Sequence, residues 1–191
     1  LDYEEVTDIT PDVRITLYNA GHIIGSSMVH LHVGNGHHNI LYTGDVKFGR
    51  TTLLEPSATS FPRLETLIIE GTYGGKRNVL PSKKKCDMLL GEYISRTIKR
   101  GGKVLIPVLG SGRAQEVMLI IESLIRKGLL DRVPVFIDGM VWDITAIHTA
   151  YPEFLNGTIR KQIFHKDRNP FLSDIFKQVG SSKERKKILE E

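Results

Sequence analysis

Polar and apolar residues alternate from Arg14 to Leu17, from Met28 to Val33 and from Asn39 to Thr43. A period of two puts successive side chains on opposite faces, so each run predicts a strand with one buried face. Gly34-Asn35-Gly36 separates the second run from the third and is turn chemistry. The pair therefore reads as a β-hairpin that ends at Asp45. Lys47 to Pro62 is polar, carries Pro56 and Pro62, and reads as a loop or short helix. Leu67 to Glu70 is a short apolar strand with an acid at its tip, and Gly71, Gly74 and Gly75 mark a sharp exit. A domain boundary is expected there, dividing 1–75 from 76–191. Leu1 to Asp12 is acidic and shows no clear period.

The second half changes period. Cys86, Leu89, Leu90, Tyr93, Ile94, Thr97 and Ile98 recur at helical spacing within Ser82 to Arg100, with Gly101 just beyond. Val117, Ile120, Ile121, Leu124 and Ile125 share a face of a helix over Gly112 to Lys127, which Gly128 ends. Lys103 to Val108 and Val133 to Asp138 read as buried strands on either side of that helix. Strand, helix and strand at these lengths predict a βαβ unit with a parallel pair, hence an α/β fold. Trp142 to Ala150, Pro170 to Gln178 and Ser181 to Glu191 are expected to be helical. No internal repeat is visible.

Bulk composition narrows the class only a little. The 191 residues are 40% hydrophobic and 25% charged, ordinary for a globular chain with a sizeable core. The net charge of +4 and a pI near 9.1 permit a nucleic-acid partner without demanding one. Much of the surplus lies in Lys83-Lys84-Lys85 and in Lys183 to Lys187, and such runs usually form a solvated helix face. Cys86 is the single cysteine, which excludes an intrachain disulfide and a cysteine-rich zinc site. No apolar run is long enough to cross a bilayer and no signal peptide is evident. An intracellular, cytoplasmic location without a membrane partner is the expectation.

Candidate chemistry gathers between Asn19 and Asp45. His22, in Ala-Gly-His-Ile-Ile-Gly-Ser, and Asp45, in Leu-Tyr-Thr-Gly-Asp, each sit where a strand runs out into a glycine-flanked turn. Such positions lift a side chain off a sheet edge, and an imidazole with a carboxylate suits zinc. The bland readings are a loop histidine and a turn aspartate. His30 and His32 share one strand face, but no acid or third histidine follows at useful spacing, so both are expected on the hairpin surface. His37 and His38 fall in its turn, and His148 and His165 are isolated. Ser111 and Arg113, at the start of the strongest helix, offer free N–H groups and a guanidinium that attract phosphate. A structural ion pair of Arg113 is an equal alternative.

These same stretches carry a resemblance. AGHIIGSS (Ala20 to Ser27) followed by YTGD (Tyr42 to Asp45) resembles the third and fourth metal-binding motifs of the metallo-β-lactamase fold. Leu-Ile-Ile-Glu-Gly-Thr-Tyr-Gly (Leu67 to Gly74) resembles motif A of its β-CASP subgroup. Gly-Gly-Lys-Val-Leu-Ile-Pro-Val and then Gly-Arg-Ala-Gln-Glu (Gly112 to Glu116) resemble the core of the β-CASP domain. The motifs stand in the family's order over Asn19 to Asp138. The chain is thus similar to archaeal relatives of the nuclease subunit of the cleavage and polyadenylation specificity factor.

The resemblance implies an α/β fold in which a partial metallo-β-lactamase sheet is followed by a β-CASP domain, with a parallel sheet flanked by helices. It implies a ribonuclease with two zinc ions when intact, RNA as partner, and a homodimer. By that resemblance His22 and Asp45 are zinc ligands, Asp45 bridging the two metals, and Asp45 and Glu70 are the catalytic acids. Glu70 corresponds to motif A, where relatives acting on DNA generally carry aspartate, so glutamate leans toward RNA. The family's upstream His-x-His-x-Asp-His and its downstream motif B and C histidines have no counterpart here. The chain is therefore expected to be a fragment with little nuclease activity alone. Alternatives from other classes are a non-catalytic RNA-binding or assembly module, and a related hydrolase of DNA or small molecules.

Overall fold

The computed structural model describes residues 1–190, and the chain divides into two compact units, the first Leu1–Val79 and the second beginning at Leu80. In the first unit the alternating runs become β2 (Val13–Asn19), β3 (Ser27–Val33) and β4 (His38–Tyr42). They form an antiparallel meander with β1 (Val6–Thr10), and β5 (Thr66–Ile68) joins β4 in parallel, giving the order β1-β2-β3-β4-β5. β1 lies in the acidic stretch without visible period. It is an edge strand whose side chains are mostly exposed, so burial imposes no alternation on it. The Lys47 to Pro62 segment holds no helix.

Register decides which face is buried. Thr16 and Tyr18 lie opposite His30 and Met28, and His30 opposite Leu41, so all share one face. Tyr18, Ala20, Met28 and Leu41 form the buried cluster there, with Val46, Ala58 and Phe61 packed against it. His30 and His32 do share a face, but the expectation that both are surface groups fails. His30 is fully buried and its ring lies 4.3 Å from that of His32. Met28 one pleat away is equally buried, and a period of two carries His30 inward with it.

A polar row, buried at Thr16 and Asn39, crosses three strands and ends at Glu65, the residue before β5. Asn39 Nδ2 donates to Gly36 O and Glu65 Oε2, which leaves Asn39 Oδ1 to accept from His32 Nδ1–H at 2.8 Å. His32 Nε2 then accepts from the Thr16 hydroxyl at 3.1 Å. His30 Nε2–H donates to Arg63 O at 2.9 Å, and burial, then the neighbouring His32, holds its pKa below the ordinary value. The row leads from β2 into the segment that opens β5.

The second unit is built on α1 (Lys83–Ile98) and α2 (Arg113–Arg126), followed by β6 (Val135–Ile137), α3 (Val141–Ala150), α4 (Gly157–Lys166), β7 (Phe176–Gln178) and α5 (Ser182–Glu190). The Ser82 hydroxyl caps α1, accepting from Lys85 N. Gly91 lets α1 approach α2, since a Cβ there would stand 2.9 Å from Leu124 Cδ1. Phe171, Leu155, Leu119, Met118 and Phe176 are core residues, and Glu122 is buried with Arg168 and Arg126 paired to it.

Three expectations for this unit are corrected. Lys103 to Val108 is irregular, with Leu105 largely exposed, and no strand pairs with it among the described residues. The parallel pair is instead β6 with β7, Val135 opposite Phe176. Pro170 to Gln178 is a single 3-10 turn, Pro170–Leu172, running into β7, because Phe176 finds an open β6 edge. α4 fell outside every predicted helix: Arg160, Lys161, Gln162, His165 and Lys166 mask its period. The last predicted helical residue, Glu191, lies outside the described residues. No helix among the described residues is long and apolar enough to cross a membrane.

The Glu65 carboxyl is held down at about 2, against an ordinary 4.5, first by the Asn39 amide and then by the Arg63 guanidinium and the Asn39 backbone N–H. A depressed acid stabilises above its unfolded value and loses that contribution as pH falls to its folded value. Glu65→Gln should therefore lower the urea midpoint at neutral pH, with the gap to the parent closing between pH 4.5 and about 2. A gap independent of pH would contradict the row. Phe171→Ala should destabilise the second unit by about 3–5 kcal/mol in denaturant unfolding, as for other fully buried aromatics.

Candidate functional site

Three loops at one end of the first sheet carry the predicted acids and histidine. The loop after β2 begins at Ala20, which is fully buried, and Gly21, whose φ is +67°. Asn19 starts it as an Asx turn, its Oδ1 accepting from Gly21 N at 2.9 Å. Ser26 closes it. The Ser26 hydroxyl accepts from His22 N at 3.1 Å and from Ile23 N at 3.2 Å, while Ala20 N donates to Ser26 O at 3.0 Å. His22 is thereby fixed at the loop's outer bend with its side chain exposed.

Backbone bonds stitch this loop to the one after β4. Lys47 N donates to Ala20 O at 2.9 Å, Ser57 N to Lys47 O at 2.9 Å and Ala58 N to Asn19 O at 2.9 Å. The stitch leaves no room at Gly21, where a Cβ would stand 2.7 Å from Ser57 N and 2.8 Å from Lys47 O. Only glycine has both the positive φ and the missing side chain that this approach requires. Asp45 is two residues before Lys47, so the stitch brings it to His22, with His22 Nε2 3.6 Å from Asp45 Oδ2.

Glu70 joins through the same segment. Thr43 N donates to Ile68 O at 3.0 Å, carrying β5 alongside β4 to its end. Beyond it, Glu70 Oε1 accepts from Val46 N at 2.9 Å and Oε2 from Thr72 N at 3.3 Å. Thr72 and the Val46 N–H, with the His22 imidazole adding a smaller electrostatic pull, hold the Glu70 carboxyl below its ordinary value. Glu70 is thus an anion at neutral pH, its oxygens engaged by backbone N–H groups. The bond to Val46 N ties Glu70 to the loop bearing Asp45.

The structure therefore brings His22, Asp45 and Glu70 together. His22 and Asp45 offer one nitrogen and one oxygen donor, the chemistry zinc takes. A closed zinc site needs about four donors, and no group of three His, Cys, Asp or Glu side chains suited to a metal occurs among the described residues. The residues fit one edge of a zinc site. His30 and His148 lie buried in their own units, His32 is half-buried beside His30, and none of the three takes part. Asn19 and Ser26 were not singled out from sequence, although Asn-x-Gly is an Asx-turn signal and Ser26 stands four residues after His22.

Ser111 and Arg113 belong to the second unit. Arg113 Nη1 donates to Glu116 Oε2 at 2.8 Å, the ion pair that was one of its two readings. Gly112 N is taken by the Gln115 side chain at 2.8 Å, and Gln115 Nε2 reaches Gly110 O and Thr145 Oγ1. The turn before α2 is therefore held from beneath by a buried glutamine. The Arg113 side chain remains well exposed.

Comparison with known proteins agrees with this architecture. Residues 114–191 match the model of the Beta-Casp domain. The second unit thus carries a β-CASP domain. Over 190 residues it is 56% identical to the transcription termination factor FttA of Methanothermobacter thermautotrophicus, covering 100% of the chain and 30% of that protein. Proteins of the same name from Thermococcus kodakarensis and Pyrococcus abyssi are also 56% identical, each matched over 29% of its length by 100% of the chain. The chain thus spans about 30% of the length of these relatives.

Gly21→Ala should destabilise the first unit by about 2 kcal/mol or more, since positive φ and a backbone clash act together. Gly25→Ala also has positive φ but opens onto empty space, and should cost about 1 kcal/mol. Denaturant unfolding that ranks the two variants equally would contradict the stitched-loop geometry.

Proposed function

We propose that this chain contributes part of the active site of a zinc-dependent ribonuclease that cuts transcripts, in keeping with the name of its relatives. The observation that carries the reading is the convergence of His22 and Asp45, 3.6 Å apart, on a segment anchored by Glu70. His22 Nε2 and the Asp45 carboxylate would hold zinc together with donors from elsewhere in the longer protein. Bound zinc supplies a hydroxide at neutral pH and positive charge beside a phosphodiester.

The chain's own residues do the positioning. The Asp45 carboxylate is exposed and would offset the positive charge of bound metal. Glu70 holds the Val46 N–H and so the angle at which Asp45 leaves the loop, which makes it a positioning residue. Ser26 and Asn19 hold His22 in the same way. Arg113, exposed at the start of α2, would exchange part of its bond to Glu116 for an RNA phosphate, with Ser111 beside it. A homodimer and a cytoplasmic setting accompany this reading.

In the longer protein, Asp45→Asn and His22→Ala should each abolish metal-dependent RNA cleavage. Glu70→Gln should lower it about 10–100-fold, as loss of an orienting partner does. This chain alone should cut RNA poorly. Efficient cleavage by the purified chain that survives His22→Ala would overturn the assignment. Arg113→Ala should weaken RNA binding and flatten log Kd against log salt by about 0.7, the slope for one single-strand phosphate. An unchanged slope would remove Arg113 from the RNA path.

A further inference from the structure

We infer that the solvent face of α1 is a docking track for single-stranded RNA, in which cationic side chains flank a tyrosine on which a base stacks. The inference rests on the reading of RNA as partner and adds a site of contact that the convergence of His22, Asp45 and Glu70 does not involve.

α1 turns Gly91 and Ile94 inward and leaves the opposite side bare. Lys85, Met88, Glu92 and Arg96 follow one another along that side at spacings of three and four, and Lys99 continues the line at the C-cap. Lys84 flanks it at one end and Arg100 at the other. Glu92 is the only acid on the stripe, against cations at Lys84, Lys85, Arg96, Lys99 and Arg100. Lys83 is neutralised by Asp87 at 2.6 Å, but no ion pair to the other five cations occurs among the described residues. A solvated helix normally interleaves its charges, so a stripe with five unpaired cations against one acid is complementary to a polyanion.

Two further features select a single strand over any polyanion. Ser82, Lys84, Lys85, Met88, Leu89 and Glu92 line an open groove of about 280 Å³, with Met88 and Leu89 its apolar members. Met88 is 62% exposed, and apolar side chains beside two ammonium groups fit a flat ring attached to a phosphate. One turn along, Tyr93 is 52% exposed, and the Arg96 guanidinium lies over its ring 5.1 Å from the centroid. A cation thus covers one face of a ring whose side chain is otherwise half exposed. Exposed aromatics among cations are how proteins hold unpaired strands, since every base has a π-face and duplex bases are already stacked. The helix spans 16 residues, about 24 Å of axis, enough for several nucleotides.

The test is fluorescence anisotropy of the purified chain with a short labelled oligouridylate over a series of salt concentrations. The triple substitution Lys85→Gln, Arg96→Gln and Lys99→Gln should reduce the slope of log Kd against log salt by about 2, three contacts at about 0.7 each. Tyr93→Ala should weaken binding at least about fivefold at every salt concentration with the slope unchanged, and Tyr93→Phe should restore it. These side chains point outward, and a thermal melt matching the parent shows that each variant is folded. No binding by the parent chain at low salt overturns both this track and RNA as the partner of this segment. Parental affinity and slope in the triple variant overturn the track alone, leaving the Arg113 reading standing. A reduced slope with no effect of Tyr93→Ala makes α1 a general polyanion surface and overturns the single-strand assignment.

Discussion

Two backbone N–H groups hold the first unit's functional end together. Lys47 N binds Ala20 O, and Val46 N binds the Glu70 carboxylate. They are neighbours in sequence and point to different loops, so one short segment after Asp45 is clamped on both sides. His22, Asp45 and Glu70 come from three loops separated by more than twenty residues each, yet their relative placement depends on this clamp rather than on contacts among their own side chains. Exposed side chains placed by buried backbone are a common way to keep a donor set ready without burying charge. The cost falls on Gly21 and Ala20, where nothing larger fits.

Beneath the loops, the sheet is tied by a second device. The Thr16, His32, Asn39 and Glu65 row crosses from β2 to the start of β5, and each member satisfies the next. A core of apolar residues alone would pack here as well. The polar row also fixes register, because a slip of one residue would turn His30 and His32 to solvent and break every bond in it. Register in turn sets where β4 and β5 end, and so where Asp45 and Glu70 emerge.

Much of the first unit was legible because one of its faces is buried and the period of two survives in β2, β3 and β4. β1 was not, since an exposed edge leaves no pattern. His30 was misplaced by weighing histidine as a surface residue when its neighbour Met28 had already declared the inward face. In the second unit the helices α1 and α2 were legible from caps and spacing. The parallel pair was misassigned because an apolar run such as Val104 to Val108 says nothing about which strand it will meet. Phe176 and Val135, far apart in sequence, meet only through tertiary packing. Glycine-flanked His22 and Asp45 stood out in the sequence; the residues that place them, Asn19 and Ser26, did not, because their work is done through backbone bonds to ordinary turns.

The convergence of the three loops is the claim on which the functional reading turns. Adding Mn²⁺ in small steps to the isotopically labelled chain, and following paramagnetic broadening of backbone amides, tests it directly. Broadening should begin together at residues 21–23, 44–47 and 70–72 and leave the amides around His30, His37 and His148 sharp. Broadening centred on one of those other histidines, or on a single one of the three loops, would contradict the account.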